Sequence, residues 1–178
     1  MPIAPMTQLQ RWKAFSDVLA TWVGIIAAIS GGIFATYEYL ENKEASRIRE
    51  SLVFVERFSK SPIYEIRRKL DEIWYANLAK LERALQTRTN DEQYTQFILD
   101  FIEQKRLDAD VREMIEFFRS LAICTQNKIC DERTAKAFFG DHATSFYHLH
   151  YRYITYLRNK TGDLSYGWEI QEFTKKKN

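Results

Sequence analysis

Histidines are the side chains in this sequence that could most readily hold a metal ion or move a proton. The segment HATSFYHLH carries all three, at positions 142, 148 and 150. On a helix, His148 and His150 point to different sides, whereas His142 and His150 are about two turns apart. Neither pair can hold one ion from a single face. Because His142 falls on the apolar stripe of its predicted helix, we expect a hydrogen-bonded core or flanking histidine there.

The two cysteines, Cys124 and Cys130, could form a redox or metal pair. They are six positions apart, whereas redox and zinc motifs use a two-residue gap. We therefore expect reduced thiols, as in the cytosol, and a disulfide is the alternative.

Other patterns of catalytic chemistry are missing from the sequence. No glutamate has a histidine three residues later, as helical di-iron sites require. There is no Gly-rich phosphate loop and no Gly-x-Ser-x-Gly elbow. We expect no catalytic residue, no metal and no cofactor, and thus a protein that is not an enzyme. The net charge of +2, with both signs dispersed, does not favour a nucleic-acid partner.

The elements that must position these residues are predicted to be helices. Six glycines and three prolines leave few turn signals, and apolar residues recur at helical spacing. Breaks are expected at Ser61-Pro62, at TRTND (87–91), before Asp108 or Asp110, and before Asp131, with Gly162 as a C-terminal stop. The sequence predicts an all-α, antiparallel bundle of about five helices after the first one.

The first predicted helix differs from the others in containing a long stretch without charged residues. The stretch VLATWVGIIAAISGGIFATY (18–37) lies between Asp17 and Glu38. A helix of this length, rising about 1.5 Å per residue, spans roughly 30 Å, the thickness of a bilayer's hydrocarbon core. We predict a tail (1–16), a transmembrane anchor (17–40), a soluble helical domain (41–174) that continues from the anchor without a break, and a basic tail (175–178). A cleaved signal peptide is the alternative, but its apolar region would be shorter.

Basic residues on either side of the anchor bear on its orientation. Arg11 and Lys13 precede it, and Lys43, Arg47 and Arg49 follow it. The positive-inside rule and the expected reduced cysteines both favour a cytoplasmic domain. We expect a single-pass protein of a bacterial inner membrane.

Small residues recur every four positions along the anchor. Spacing of this kind lets helix backbones approach closely within lipid. We predict that this row packs against a helix of another integral membrane protein or of a second copy, although small residues are common in such helices in any case. The row consists of Ala20, Gly24, Ala28, Gly32 and Thr36, beside a second row of Ala27, Gly31 and Ala35.

Aromatic residues are dense in the segment from Phe138 to Tyr156. They could fill the core of a small bundle, line a ligand pocket or form an interface, where tyrosine and phenylalanine are enriched. Tyr147 and Tyr151 lie off the main apolar stripe, so we predict that these two form an exposed aromatic patch.

Two longer segments carry a resemblance to a known family. RIRESLVFVERFSKSPIYEIRRKL (47–70) and the segment 111–173, with its paired Phe117-Phe118 and its Phe-Gly before a long helix, resemble a bacterial domain family of unknown function. The chain departs from that pattern at Arg119, where an acidic residue is expected. The resemblance implies a single-span membrane protein with a cytoplasmic helical domain, and it implies no activity.

These features together predict a membrane-anchored, non-catalytic interaction protein. We expect an accessory or scaffolding subunit of a bacterial membrane complex, whose partners are the lipid bilayer and another membrane helix. The alternative is a membrane-tethered regulatory domain that senses a ligand in an aromatic-lined pocket.

Overall fold

The computed structural model describes residues 8–87 and 91–175, with the side chains of residues 22, 23, 25, 28–84, 86 and 91–175. Within these ranges the chain is all-α, as predicted, and no residue is in a strand. The helices are α1 (Gln8–Phe58), α2 (Ile63–Ala76), α3 (Leu78–Thr87), α4 (Asp91–Gln104), α5 (Asp108–Gln126), α6 (Glu132–Thr161) and α7 (Trp168–Thr174).

The chain divides into two compact units, one up to Ala45 and one from Ser46 onward. In the first unit, large apolar side chains of α1 are exposed, Phe34 and Ile33 among them. In the part of the chain that the structure describes, no helix combines the length and the apolar character needed to cross a membrane. The predicted anchor includes residues 17–21, 24, 26 and 27, whose side chains lie outside the described residues.

The second unit is a helical bundle with one apolar core. Helix α5 packs against α2, α6 and α7, and α6 also packs against α4 and α7. The core therefore lies along α5 and α6, where the largest fully buried side chains include Ile115, Phe118, Leu121, Phe139 and Ile154.

Several helix ends follow the local sequence signals. Asp131 caps α6, its side chain accepting a hydrogen bond from the Thr134 backbone N–H at 2.7 Å. Gly162 ends α6 in the left-handed conformation, with φ of 75°. Gly140 neither breaks nor ends α6, which continues to Thr161.

Two predicted helices differ in their bounds. The helix expected over 62–86 is divided at Asn77, whose side-chain amide donates to the Ile73 carbonyl at 2.8 Å and so competes with the helical backbone pattern. A short last helix is also predicted after Gly162, over about residues 163–174, but it begins only at Trp168. Asp163 accepts from the Ser165 backbone N–H at 3.0 Å, which forms a turn instead.

The prediction of reduced cysteines is wrong in this structure, because Cys124 and Cys130 form a disulfide. After α5 the chain turns back, and the Ile129 and Cys130 N–H groups both donate to the Cys124 carbonyl at 3.0 Å. This turn brings the two Cα atoms to 5.1 Å from each other. Sequence spacing alone does not reveal it.

Candidate functional site

A cavity of about 130 Å³ lies among the C-terminal end of α1, α2, α5 and α6, entirely within the second unit. Its walls are largely apolar and aromatic, and they also carry two histidines, one arginine and one aspartate. The lining residues that matter for its chemistry are Phe58, Arg67, Asp71, Trp74, Phe118, His142, Ser145, Phe146 and His150.

The floor of the cavity is formed by buried side chains. His150 is 2% exposed and Trp74 is 7% exposed, and their ring centroids are 5.5 Å apart in an edge-to-face arrangement. Phe146 packs against the His150 ring with centroids 4.3 Å apart. Phe118 in turn packs on Phe146 at 5.3 Å. Aromatic packing of this kind holds each ring in one orientation.

His150 is a neutral imidazole with a defined tautomer. Its Nδ1 lies 2.9 Å from the Phe146 carbonyl oxygen, and a carbonyl can only accept, so Nδ1 carries the proton. Burial lowers the pKa of His150 from 6.5 to about 4, which the hydrogen bond to Phe146 only partly opposes. The Nε2 atom therefore has a free lone pair, and it has no hydrogen-bond partner within the described residues.

Trp74 contributes the complementary group. Its indole Nε1–H is a donor only, is buried, and also lacks a partner among the described side chains and backbone. The ring stacks on Phe101 with centroids 4.7 Å apart. Two residues of the cavity lining thus each carry one buried polar atom without a partner among the described residues, a donor on Trp74 and an acceptor on His150.

The mouth of the cavity is polar. Asp71, His142 and Ser145 are exposed, and Arg67 is half-buried. The Arg67 guanidinium lies over the Phe58 ring, with its carbon 4.3 Å from the ring centroid. The ionised side chains at this opening are one cation and one anion, so their charges balance.

Several other polar side chains of the second unit are paired. Arg119 forms an ion pair with Glu169 at 3.2 Å, and this pair joins α5 to α7. The family resemblance leads one to expect an acidic residue at position 119, and the ion pair gives the arginine a structural role there. Tyr153 donates to Asp108 and accepts from Arg112, and burial raises the pKa of Tyr153 to about 12. Within the described ranges, no group of three or more histidine, cysteine or carboxylate side chains could hold a metal ion.

The predicted small-residue row is only partly described. The side chains of Ala20 and Gly24, and of Ala27 in the second row, lie outside the described residues. Ala28, Gly32 and Thr36 are exposed on α1, and the Thr36 hydroxyl donates to the Gly32 carbonyl at 2.8 Å. A Cβ atom added at Gly31 or Gly32 would meet nothing within 4 Å.

The prediction of an exposed aromatic patch is wrong for Tyr147, which is 5% exposed. Helix α6 packs against α4, α5 and α7, so its buried face is broader than a single stripe. Tyr151 is exposed as predicted, and its ring lies 5.8 Å from that of Tyr147. Together they do not form an exposed pair.

The proximity of Trp74 and His150 is not evident from the sequence. Trp74 lies on the apolar stripe of its helix and therefore resembles an ordinary core residue. His150 follows Phe146 by four positions, and this spacing places it on the buried face of α6. Their proximity depends on how α2 packs within the bundle, which helical periodicity does not contain.

Comparison with known proteins identifies the family. Residues 25–168 match the domain of unknown function DUF4760, and the chain belongs to this family. No curated protein matches the chain, and no solved structure matches it. The suspected membership of a family of unknown function is thereby confirmed.

Proposed function

We propose that this member of the DUF4760 family is a non-catalytic interaction protein anchored in a membrane through residues 17–40, and that it serves as an accessory or scaffolding subunit of a bacterial membrane complex. One observation carries the proposal: the large apolar side chains of α1 between Trp22 and Leu40 are exposed, with Phe34 at 69% and Ile33 at 66%.

Exposure of so many large apolar side chains on one segment has a free-energy cost in water. Each such side chain gains about 1.5–3 kcal/mol when it is fully buried. Soluble monomers rarely leave a contiguous apolar surface of this kind uncovered. The sequence from 18 to 37 has no charged residue that would oppose insertion into lipid. We therefore propose the hydrocarbon core of a bilayer as the environment of this segment.

A partner helix is the second part of the proposal. Ala28, Gly32 and Thr36 follow one another at four-residue spacing, and nothing within 4 Å would obstruct a Cβ atom at Gly32. Small side chains at this spacing allow close approach of another helix in lipid, where van der Waals packing drives association. The partner is another integral membrane protein or a second copy of this chain.

The disulfide bears on the side of the membrane where the domain lies. Because disulfides persist in oxidising compartments, the cysteines no longer favour a cytoplasmic domain. Three basic residues after the anchor against two before it remain as the argument for the cytoplasm. Trapping of free thiols in intact cells decides the matter: bonded cysteines place the domain on the oxidising side, and free thiols place it in the cytoplasm.

Extraction of native membranes in mild detergent tests the proposed function. We expect the purified protein to bring a stoichiometric membrane partner, or a second copy, which mass spectrometry identifies. Gly24→Ile with Gly32→Ile should weaken that association, because two branched side chains block close helix approach. The matched control, Ile26→Leu with Ile33→Leu, alters the helix without filling the row. Equal association in the glycine variant and in the control would show that the small-residue row does not form the helix contact. A monomer that is purified without a partner would contradict the proposed function.

A second candidate function is favoured by the cavity. The domain from Ser46 onward would bind a small ligand there and so act as a regulatory sensor. The supporting observation is a largely apolar cavity of about 130 Å³ whose lining includes Trp74 and His150, two residues that each carry a buried polar atom without a partner among the described residues. Saturable stabilisation of the purified protein by a small molecule would support this function.

A further inference from the structure

We infer that the disulfide between Cys124 and Cys130 is a reversible thiol–disulfide exchange site, and that its redox state controls how firmly α1 is held against the turn between α5 and α6. Three features of the second unit carry this inference: the exposed turn that the disulfide closes, the hydrogen bonds of Asp131 to α1, and the burial of Cys130. It rests on the proposed function only for the side of the membrane on which the domain lies.

The turn that the disulfide closes lies at the surface of the second unit. All four residues from 126 to 129 are exposed, and Ile129 is exposed by 55%. At the base of the turn Cys124 is half-buried, whereas Cys130 is 2% exposed. Exchange requires that an attacking thiolate reach one of the two sulfur atoms. Cys124 is therefore the half of the disulfide that a thiol from solution attacks.

The exchange needs a dithiol as reductant. One of its thiolates attacks Sγ of Cys124, the S–S bond breaks, and the electron pair goes to Sγ of Cys130, which takes up a proton. The second thiol of the reductant then attacks the mixed disulfide and releases Cys124 as a thiol. The protein gains two electrons and two protons, and the dithiol becomes a disulfide. A disulfide oxidant reverses the reaction and returns to its own thiol form.

Asp131, which directly follows Cys130, joins this turn to α1. Its backbone N–H donates to Ser51 Oγ at 2.9 Å and to the Arg47 carbonyl at 3.1 Å. The Ser51 hydroxyl donates to the Asp131 carbonyl at 3.2 Å. Ser51 is 0% exposed, so water does not readily replace these hydrogen bonds. Along the chain, Arg47 is the second residue of the second unit, and α1 leads back from it into the first.

Reduction of the disulfide affects these hydrogen bonds because the two sulfur atoms must separate. Two unbonded sulfurs cannot remain at bonding distance, and a closely packed interior leaves the buried Cys130 side chain little room to move alone. On the other side, Leu121 and Ala122 are 0% exposed and fix the part of α5 that carries Cys124. The displacement therefore falls on the turn and on Asp131, and it loosens the contact with α1.

A reversible disulfide also agrees with the distribution of basic residues along the chain. Three basic residues follow the proposed anchor and two precede it, which favours a cytoplasmic domain. Disulfides in the cytosol are usually transient and serve catalysis or redox sensing. The chain has no catalytic motif that would use the pair, so sensing is the role that fits.

Amide hydrogen exchange of the full-length, ¹⁵N-labelled protein in detergent micelles tests the inference. Spectra are compared for the oxidised protein, for the protein in excess dithiothreitol, and after reoxidation with oxidised glutathione. The Asp131 amide is the reporter, because it is the donor to α1. The amide of Ile154, a fully buried residue of α6, reports opening of the whole bundle. Cys124→Ser with Cys130→Ser is the matched variant, which cannot respond to the thiol.

We expect reduction to speed exchange of the Asp131 amide by at least about tenfold and to leave Ile154 unchanged, and reoxidation to reverse the change. The double variant should exchange like reduced wild type with and without dithiothreitol. Ser51→Ala should speed exchange at Asp131 while the disulfide is intact, because it removes one acceptor.

Equal exchange at Asp131 in the oxidised and reduced proteins would overturn the coupling to α1. A disulfide that dithiothreitol does not reduce in the folded protein would overturn the exchange site. Acceleration by the same factor at Asp131 and Ile154 would show a loss of overall stability in place of local control. These outcomes leave the proposed membrane partner untouched, since detergent extraction tests it separately. The comparison of redox states uses the wild-type chain, so the test stands even where a variant fails to fold.

Discussion

The two units of this protein differ in whether their large apolar side chains are exposed or buried. In the first unit, Ile33 and Phe34 of α1 are exposed by about two thirds, whereas in the second unit Phe118 and Phe139 are 1% exposed. Both regions contain isoleucine and phenylalanine. The difference lies in the charged residues: the second unit intersperses them along each helix, and the stretch 18–37 has none.

This contrast indicates where each region finds its apolar environment. A helix with one apolar stripe buries that stripe against its neighbours, as α5 and α6 do in the second unit. A helix that is apolar on all sides has no face to present to water and needs an apolar medium or a partner. On this account, the second unit generates its own core and the first depends on something outside the chain.

The largest expected effect comes from removing a core ring in the second unit. Phe139 packs against Phe58 at 5.3 Å and Phe117 at 5.9 Å, and Phe139→Ala should lower the free energy of unfolding by about 3–5 kcal/mol. Phe34→Ala, the matched change in the first unit, should alter it by less than about 0.5 kcal/mol. Urea unfolding of the full chain in micelles measures both. Equal losses of unfolding free energy in the two variants would contradict the proposed difference between the units.

The next effect is a pH dependence that arises from His150. Its pKa is about 4 in the fold against 6.5 ordinarily, so between these pH values the unfolded chain binds the extra proton. Stability is therefore full above pH 6.5 and falls as the pH drops, by about 3 kcal/mol on reaching pH 4. The measurement is the unfolding free energy of wild type minus that of His150→Phe at each pH. A difference that stays flat from pH 7 to pH 4 would show that His150 is not buried as described.

A smaller effect is expected from the disulfide, which is confined to the second unit. Cys124→Ser with Cys130→Ser opens a short loop, and the chain-entropy estimate gives a loss of about 2 kcal/mol. Urea unfolding measures it, and wild type with a reducing agent should match the double variant. Reduced wild type differs from oxidised wild type only in the disulfide bond. It therefore serves as the control for the double variant. An unchanged midpoint under reduction would mean that the cross-link does not constrain the unfolded domain.

Local signals in the sequence were sufficient for much of the fold. Asp131 caps α6 and Gly162 ends it, since each acts through its own backbone and nearest neighbours. The uncharged stretch before Glu38 could also be read directly from the sequence, as could the helical class of the described residues. Such features depend on contacts within about one helical turn.

Features that depend on packing between helices could not be predicted in the same way. The division at Asn77, the burial of Tyr147 and the proximity of Cys130 to Cys124 each depend on how the chain folds back on itself. The same holds for the cavity, where Trp74 comes from α2 and His150 from α6. A periodic pattern predicts which face of a helix is buried, but not which residues meet across the interface.

Alkaline carbonate extraction of membranes from cells that express the full chain tests the central claim most directly. We expect the wild-type protein to stay with the membrane pellet. A variant with Ile29→Lys and Ile33→Lys should move to the soluble fraction, because each charge near the middle of a bilayer costs about 2.5–3.5 kcal/mol, whereas Ile29→Leu with Ile33→Leu should remain in the pellet. A wild-type protein that is released into the supernatant would contradict the claim that residues 17–40 require a bilayer.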